Sequence, residues 1–198
     1  LPKMESAKWV YYTSASPSFT KGNLSADLVN YIKTSGAKMG YNPGTYQMKA
    51  GVKNFPEILA ATEVFFVNVE EAKRILEISE ETQIGIKELL KKTRDDLGLR
   101  TVVITDGNDG SYSFDGTDVW KLPEFPGERV EATGAGDAFA TATCAAFFHG
   151  KTLPEAMVWG SINGASVVHE IGPQAGLLTL EEIEKRRNSR PDFQPTKI

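Results

Sequence analysis

The stretch EATGAGDAFATATCAAFF, residues 131–148, places one carboxylate at the start of a long run of small and apolar residues. Gly134, Ala135 and Gly136 come directly before this carboxylate, Asp137. A helix that begins here presents unpaired backbone N–H groups and the positive end of its dipole, and small residues let an anion approach them. An aspartate beside that anion could accept a proton from a hydroxyl that attacks phosphorus. The pattern predicts a phosphoryl-transfer site, and the alternative is that Asp137 only caps the helix.

Two other polar stretches follow apolar runs that read as strands. Asn68 and Glu71 have the spacing of an N-cap and its capping-box glutamate. The stretch TDGNDG, residues 105–110, is rich in turn-forming residues and by itself reads as a β-turn after a strand. A dinucleotide fingerprint is excluded because Phe139 stands where a third small residue is needed, and the chain contains no P-loop sequence.

The remaining elements must position these residues. Apolar runs predict strands over 9–15, 63–68 and 100–105, and a hairpin over 110–122 that turns at Asp115-Gly116. Residues 37–44 read as a short strand that runs into an Asn-Pro-Gly turn. Helical spacing of apolar residues predicts helices over 22–36, 54–62, 69–77, 84–98, 136–148, 153–169 and 179–187. Apolar strands that alternate with helices predict a parallel sheet covered on both faces, with ligands bound at the carboxyl ends of its strands.

Composition narrows the classes of partner and compartment. The formal net charge is −4 over 198 residues, which gives no reason to expect nucleic acid or a membrane surface as a partner. The single cysteine, Cys144, cannot form an intrachain disulfide, reads as a buried small hydrophobe and fits a cytoplasmic protein. His149 and His169 have no metal-ligand spacing, and Lys121 and Arg129 read as solvated surface charges.

Taken in order, four stretches resemble the PfkB/ribokinase family of carbohydrate and nucleoside kinases. TGAGDAFA (133–140) is similar to the family signature, NVEEA (68–72) to its Asn-x-x-Glu motif, and VITDGNDGSY (103–112) to its phosphate loop. NGASVVHEIGPQAG (163–176) is similar to the segment beside the adenine. The resemblance implies an α/β, ribokinase-like three-layer αβα fold with a mainly parallel sheet over residues 1–187, followed by an irregular tail over 188–198.

The same resemblance implies roles for individual residues. Asp137 would be the general base, and Gly134, Ala135 and Gly136 would form the anion hole together with its own N–H. The residues implied to bind ATP are Asn68, Glu71, Thr105, Gly107, Gly110, Asn163 and Gly172. Glu71 would hold Mg²⁺ through water. Glu131 stands where the family usually has an aspartate that contributes to a monovalent-cation site, such as one for K⁺.

The implied activity is ATP-dependent phosphorylation of a sugar hydroxyl, which makes the protein a phosphotransferase with an alcohol acceptor. A nucleoside kinase of the same family is an alternative. The resemblance begins after the part of the family that supplies most sugar-binding residues and a β-sheet lid, and it implies that both are missing. A non-catalytic nucleotide-binding fragment is therefore a third reading, and a homodimer is expected only of the full-length protein.

Overall fold

The computed structural model describes residues 6–16 and 24–198. Its strands are β1 (Trp9–Thr13), β2 (Lys38–Asn42), β3 (Val64–Asn68), β4 (Thr101–Thr105), β5 (Ser111–Phe114), β6 (Val119–Leu122) and β7 (Thr196–Lys197). Its helices are α1 (Leu24–Ser35), α2 (Thr45–Ala50), α3 (Pro56–Ala61), α4 (Val69–Ile75), α5 (Ile86–Leu97), α6 (Ala135–Phe148), α7 (Leu153–Val168) and α8 (Leu180–Ser189). Within the described residues, no helix is long and apolar enough to cross a membrane.

The chain divides into two compact units. The first unit consists of residues 1–104 and 113–117, and the second unit consists of residues 105–112 and 118–198. The first two residues of the helix predicted over 22–36 lie outside the described residues, and the described part of that helix is α1.

The first unit contains the parallel part of the sheet, with strands in the order β1, β2, β3, β4. Strand β1 pairs in parallel with β2, and β2 pairs in parallel with β3. The residues Val64 to Val67 and Val102 to Ile104 are all buried, so both faces of β3 and β4 are covered. The α/β class with a mainly parallel sheet, which the sequence predicts, is confirmed.

The second unit is built around two long buried helices. Every residue of α7 from Ala156 to Val168 is buried. Helix α6 packs against α7 through small side chains. A Cβ atom on Gly160 would lie 2.4 Å from Oγ1 of Thr143, so glycine permits the close approach of the two helices. Leu122 and Trp159 belong to the hydrophobic core of this unit.

One sequence prediction of local structure is wrong, and one helix was not predicted. Residues 37–44 were expected to form a short strand that runs into an Asn-Pro-Gly turn, and β2 followed by the irregular residues 43–44 agrees with this, but helix α2, which begins at Thr45 directly after that turn, was not expected. The tail after residue 187 was expected to be irregular, but α8 continues to Ser189 and β7 then pairs antiparallel with β6. Phe193 is buried in the core of the second unit, which holds the tail against it.

Candidate functional site

Helix α6 begins without a side-chain cap. Its N-cap residue is Gly134, which has a φ of +83°, and no side chain caps the first turn. A Cβ atom on Gly134 would lie 2.7 Å from the Cβ atom of Pro173, so both backbone conformation and space favour glycine. The alternative that Asp137 is the N-cap is wrong, because this exposed residue lies within the first turn of the helix.

One of the N–H groups predicted to bind an anion is used inside the chain. The Ala135 N–H donates to the carbonyl of Ala132 at 3.2 Å, in a turn that precedes the helix. Gly136 is exposed, and a Cβ atom there would meet nothing within 4 Å. An anion therefore has open access to the backbone at Gly136, in the first turn of a helix whose dipole favours negative charge.

The TDGNDG stretch forms a tight loop at the end of β4. A short 3₁₀ turn spans Gly107–Asp109, and the Asp106 N–H donates to the Gly110 carbonyl at 2.8 Å. Gly110 has a φ of +92°, and a Cβ atom there would lie 2.1 Å from the Leu122 carbonyl oxygen. The turn predicted from the sequence is confirmed, and at Gly110 both its backbone conformation and its close contact favour glycine.

A cavity of about 120 Å³ lies within the second unit, and five of the predicted site residues line it. These are Thr105, Gly107, Gly110, Ala135 and Gly136. The lining residues that the sequence reasoning missed are Ser111, Glu124, Arg129, Phe139, Ser161, Gly164, Ala165 and Val168. The structure thus brings the phosphate-loop candidate and the start of α6 together around one cavity.

Glu124 and Arg129 are the only charged residues in this lining. Arg129 Nε lies 3.6 Å from Glu124 Oε1, and the Arg129 guanidinium also donates to the side-chain carbonyl of Asn108. Arg129 is exposed, as expected of a surface charge, and its side chain also borders the cavity. Lys121 instead lies over the ring of Tyr112, with Nζ 5.4 Å from the ring centroid.

The Ser111 hydroxyl is an unusual feature of the cavity wall. Ser111 is 2% exposed, and its Oγ has no hydrogen-bond partner among the described residues. Buried polar side-chain atoms nearly always have a partner in the protein or in water. A hydroxyl that is left unpartnered beside a cavity is suited to a polar atom of a bound molecule.

Glu131 connects the segment before α6 to the segment after α7. The Thr133 hydroxyl donates to its Oε1 at 2.7 Å, and the Gly172 N–H donates to its Oε2 at 2.9 Å. These two hydrogen bonds, first that of Thr133 and then that of Gly172, lower the pKa of the Glu131 carboxyl below its ordinary value. Glu131 and Gly172 are thus brought together, but neither lines the cavity.

Asn163 is buried and uses its side-chain amide on backbone groups. Its Nδ2 donates to the Ala138 carbonyl at 2.9 Å, and its Oδ1 accepts from the Leu178 N–H at 3.0 Å. Asn163 does not line the cavity, whereas its neighbour Gly164 does. Its side chain fixes the first turns of α6 to α7, and its predicted contact with ATP stays a prediction.

Asn68 and Glu71 lie in the first unit and form a complete capping box at the start of α4. The Glu71 N–H donates to Asn68 Oδ1 at 2.7 Å, and the Asn68 N–H donates to Glu71 Oε2 at 2.9 Å. The capping alternative is therefore confirmed. The predicted role of the same side chains toward Mg²⁺ stays a prediction. Among residues 6–16 and 24–198, no group of three or more metal-binding side chains could hold a metal ion.

Comparison with known proteins identifies the family. A model of the pfkB family carbohydrate kinases matches residues 2–180. The chain is 26% identical over 163 residues to an ATP-dependent ribose-1-phosphate kinase from Halopiger xanaduensis. This match covers 82% of this chain and 49% of the relative. It is 23% identical over 192 residues to a nucleoside kinase from Methanothermobacter thermautotrophicus. That match covers 97% of this chain and 58% of the relative.

Solved structures share the fold. An Escherichia coli ribokinase II candidate in complex with ATP and Mg²⁺ superimposes with a TM-score of 0.74 at 22% identity, over 94% of this chain and 60% of that one. At this identity the likeness establishes the fold alone. The chain spans about half to three fifths of the length of the relatives named here.

Proposed function

The chain belongs to the pfkB family of carbohydrate kinases, and we propose that it carries the nucleotide site and the general base of an ATP-dependent sugar kinase. The observation that carries this proposal is the cavity of the second unit. Its wall combines the glycine loop after β4 with the uncapped start of α6. Both features offer backbone N–H groups, which suit the phosphate groups of a nucleotide.

The proposed contacts with the phosphate groups are made mainly by the backbone. Thr105, Gly107 and Gly110 lie along the triphosphate, where glycine lets the main chain approach the phosphate oxygens. Gly134 sets the left-handed turn that starts α6, and the exposed backbone at Gly136 stabilises the charge of the transferring phosphoryl group. Ala135 supports this turn through its own hydrogen bond rather than by contacting the phosphoryl group.

Asp137 is proposed as the general base. It is exposed in the first turn of α6, one residue after Gly136. A carboxylate in this position can take the proton of the acceptor hydroxyl as its oxygen attacks the γ-phosphorus. The positive end of the α6 dipole favours negative charge in this first turn.

Mg²⁺ fits the chemistry of Asn68 and Glu71. Both side chains offer oxygen, which is the ligand atom that Mg²⁺ prefers, and Mg²⁺ commonly keeps several waters between itself and the protein. The capping box uses Glu71 Oε2, so the carboxylate also holds a second oxygen, Oε1, for an ordered water. When bound, such an ion would supply positive charge that neutralises phosphate oxygens. Asn163 and Gly172 are proposed to support the segment beside the adenine.

For K⁺, the fit at Glu131 is poorer. Both of its oxygens accept hydrogen bonds from the chain itself, one from Thr133 and one from Gly172. The two segments that a cation would join are thus already connected by this carboxylate. We propose that K⁺ activates the enzyme weakly, and exchange of KCl for NaCl at constant ionic strength measures this.

The acceptor is proposed to be a sugar, with a nucleoside as the second candidate. The family name favours a carbohydrate. The nucleoside candidate is favoured by one observation, which is that the similarity to the Methanothermobacter nucleoside kinase extends over 97% of this chain. ADP formation with a panel of pentoses, hexoses and nucleosides, measured on the full-length enzyme, separates the two. The absence of turnover together with tight ATP binding would favour a non-catalytic nucleotide-binding protein.

A titration of the chain with Mg²⁺ and a non-hydrolysable ATP analogue tests the nucleotide site. Gly136→Ala adds a methyl group where nothing lies within 4 Å, so the variant should fold while it obstructs the backbone that faces the phosphate. We expect Kd to rise about tenfold or more, the loss of one or two hydrogen bonds to a charged group. Gly85→Ala is the matched control, because Gly85 also begins a helix and also has nothing within 4 Å. No binding by the folded wild-type chain would contradict the proposal.

A further inference from the structure

The cavity is suited to the neutral, planar part of a nucleotide. Ligand pockets for drug-sized molecules enclose about 300–1,000 Å³, whereas this cavity measures about 120 Å³. It can therefore enclose one ring system rather than a whole nucleotide. Phe139, Ala165 and Val168 supply apolar wall, and the charges of Glu124 and Arg129 cancel. The apolar part of this wall suits a nucleobase, while the triphosphate would follow the glycine backbone of the loop after β4 and of the start of α6.

Two polar groups of the wall can read the edge of that base. The Glu124 carboxylate oxygens, one of which lies 3.6 Å from Arg129 Nε, can accept hydrogen bonds. The buried, unpartnered hydroxyl of Ser111 can donate one. A base that donates an N–H group to Glu124 and accepts from Ser111 through a ring nitrogen would satisfy both side chains. Adenine presents such a pair at its amino group and N7.

We propose that Glu124 determines which nucleobase the cavity accepts, by taking a hydrogen bond from the exocyclic amino group of adenine. This inference rests on the proposed function, because it assumes that a nucleotide occupies the cavity. Arg129 is a positioning residue, since its guanidinium lies 3.6 Å from the Glu124 carboxylate and is itself held by Asn108. Guanine is disfavoured, because the same edge of guanine presents two acceptors, which a carboxylate repels.

The same geometry disfavours Arg129 as a phosphate ligand. A free guanidinium at a cavity wall is well suited to phosphate. Here it is paired with a carboxylate 3.6 Å away, and a phosphate bound at this guanidinium would also be repelled by that negative charge. The pairing therefore directs Arg129 toward Glu124 and toward the base rather than toward the triphosphate.

The test compares ATP with purine riboside triphosphate, which differs from ATP only by lacking the amino group. We expect the wild-type chain with Mg²⁺ to bind ATP about tenfold more tightly, because loss of one hydrogen bond to a charged group costs about that factor. In Glu124→Ala this preference should fall to about onefold, and in Arg129→Ala it should shrink. Glu128→Ala should keep it, because Glu128 is an exposed carboxylate of the same loop that does not line the cavity.

The ratio of the two dissociation constants separates recognition from mere stability. A substitution that only loosens the loop raises both constants equally and leaves the ratio unchanged, and that result would overturn the inference. Glu124→Gln, which keeps the size of the side chain, repeats the test if the alanine variant does not fold, with the ratio again expected to fall. Equal binding of both triphosphates by the wild type would refute the inference but leave the proposed function standing. Failure of the wild type to bind either one would refute both.

Discussion

Helices α4 and α6 both follow polar motifs of the family, yet they begin in opposite ways. At α4, Asn68 and Glu71 bond to each other's backbone N–H groups and close the helix start. At α6, Gly134 supplies no side chain, and the first turn borders a cavity. The difference teaches that one helix start is stabilised by side chains within the chain, while the other leaves its backbone open at Gly136, as an anion site requires.

An uncapped start alone is not a binding site. Helix α5 also begins at a glycine, Gly85, without a side-chain cap. Helices α7 and α8 instead repeat the capping box of α4, with Thr152 and Glu155 in one and Thr179 and Glu182 in the other. Both helices carry a carboxylate in the first turn, Glu88 in α5 and Asp137 in α6. What distinguishes α6 from α5 is its left-handed glycine and its place beside the phosphate-loop candidate.

The largest effect is expected from removal of the carboxylate of α6. Asp137→Asn should lower kcat of the full-length enzyme about 10²–10⁴-fold, because general base catalysis and charge placement are lost together. The matched variant Glu182→Gln removes a carboxylate from the first turn of α8, where it only completes a capping box, and should leave kcat unchanged. Steady-state ADP formation measures both, and near-normal turnover of Asp137→Asn would refute its catalytic role.

Glu71→Gln tests whether the closed start of α4 has a second function. The variant keeps the size of the side chain and one capping oxygen, so the fold should survive. The Mg²⁺ concentration needed for half-maximal binding of the ATP analogue should rise about tenfold, since one charged ligand oxygen is lost. Circular dichroism provides the control. An unfolded variant, or one with an unchanged Mg²⁺ requirement, would mean that Glu71 serves only as a cap.

Thr179→Ala should affect stability alone. The Thr179 side chain accepts a hydrogen bond from the Glu182 N–H at 3.3 Å, and loss of an N-cap side chain costs about 1 kcal/mol of the free energy of unfolding. Urea denaturation measures this loss. The Kd of the ATP analogue should stay unchanged, because the closed start of α8 takes no part in binding. A higher Kd would mean that the capped start of α8 also affects nucleotide binding, which would contradict the distinction between closed and open helix starts.

The smallest effect is expected from pH at Glu131. Its pKa is lower in the folded chain than in the unfolded chain, so its stabilising contribution is fully present above the ordinary pKa. That contribution is lost as the pH falls through the lowered folded pKa. The stability difference between wild type and Glu131→Gln should therefore persist at pH 7 and shrink under acid conditions. A difference that grows toward low pH would contradict the two hydrogen bonds.

Periodicity predicted most of the fold because buried strands and amphipathic helices leave a local pattern in the sequence. Helix α2 escaped because its six residues, Thr45–Ala50, are too few to show an apolar period and follow a turn signal. Strand β7 escaped because it exists only through pairing with β6, about 75 residues earlier, as in the pair Lys121 and Thr196. Contacts between such distant residues have no local signature.

The site residues likewise include some that the sequence could predict and some that it could not. The glycines of the loop and of α6 could be predicted, because a left-handed φ or a close backbone contact leaves glycine as the signature at Gly110 and Gly134. Glu124 and Arg129 could not, because they lie in an irregular proline-containing loop, where a charged residue reads as surface. The contact of that loop with α7, in which the Phe125 N–H donates to Ser161, forms only in the folded chain.

The most direct test of the account is an amide NMR titration of the chain with Mg²⁺ and the non-hydrolysable ATP analogue. The account predicts saturable shifts of the Gly107, Gly110 and Gly136 amides, and none at the capped starts of α7 and α8, including Glu155 and Glu182. Saturable binding that leaves the three glycine amides unmoved would contradict the central claim, because the nucleotide would then lie outside the cavity at the open start of α6.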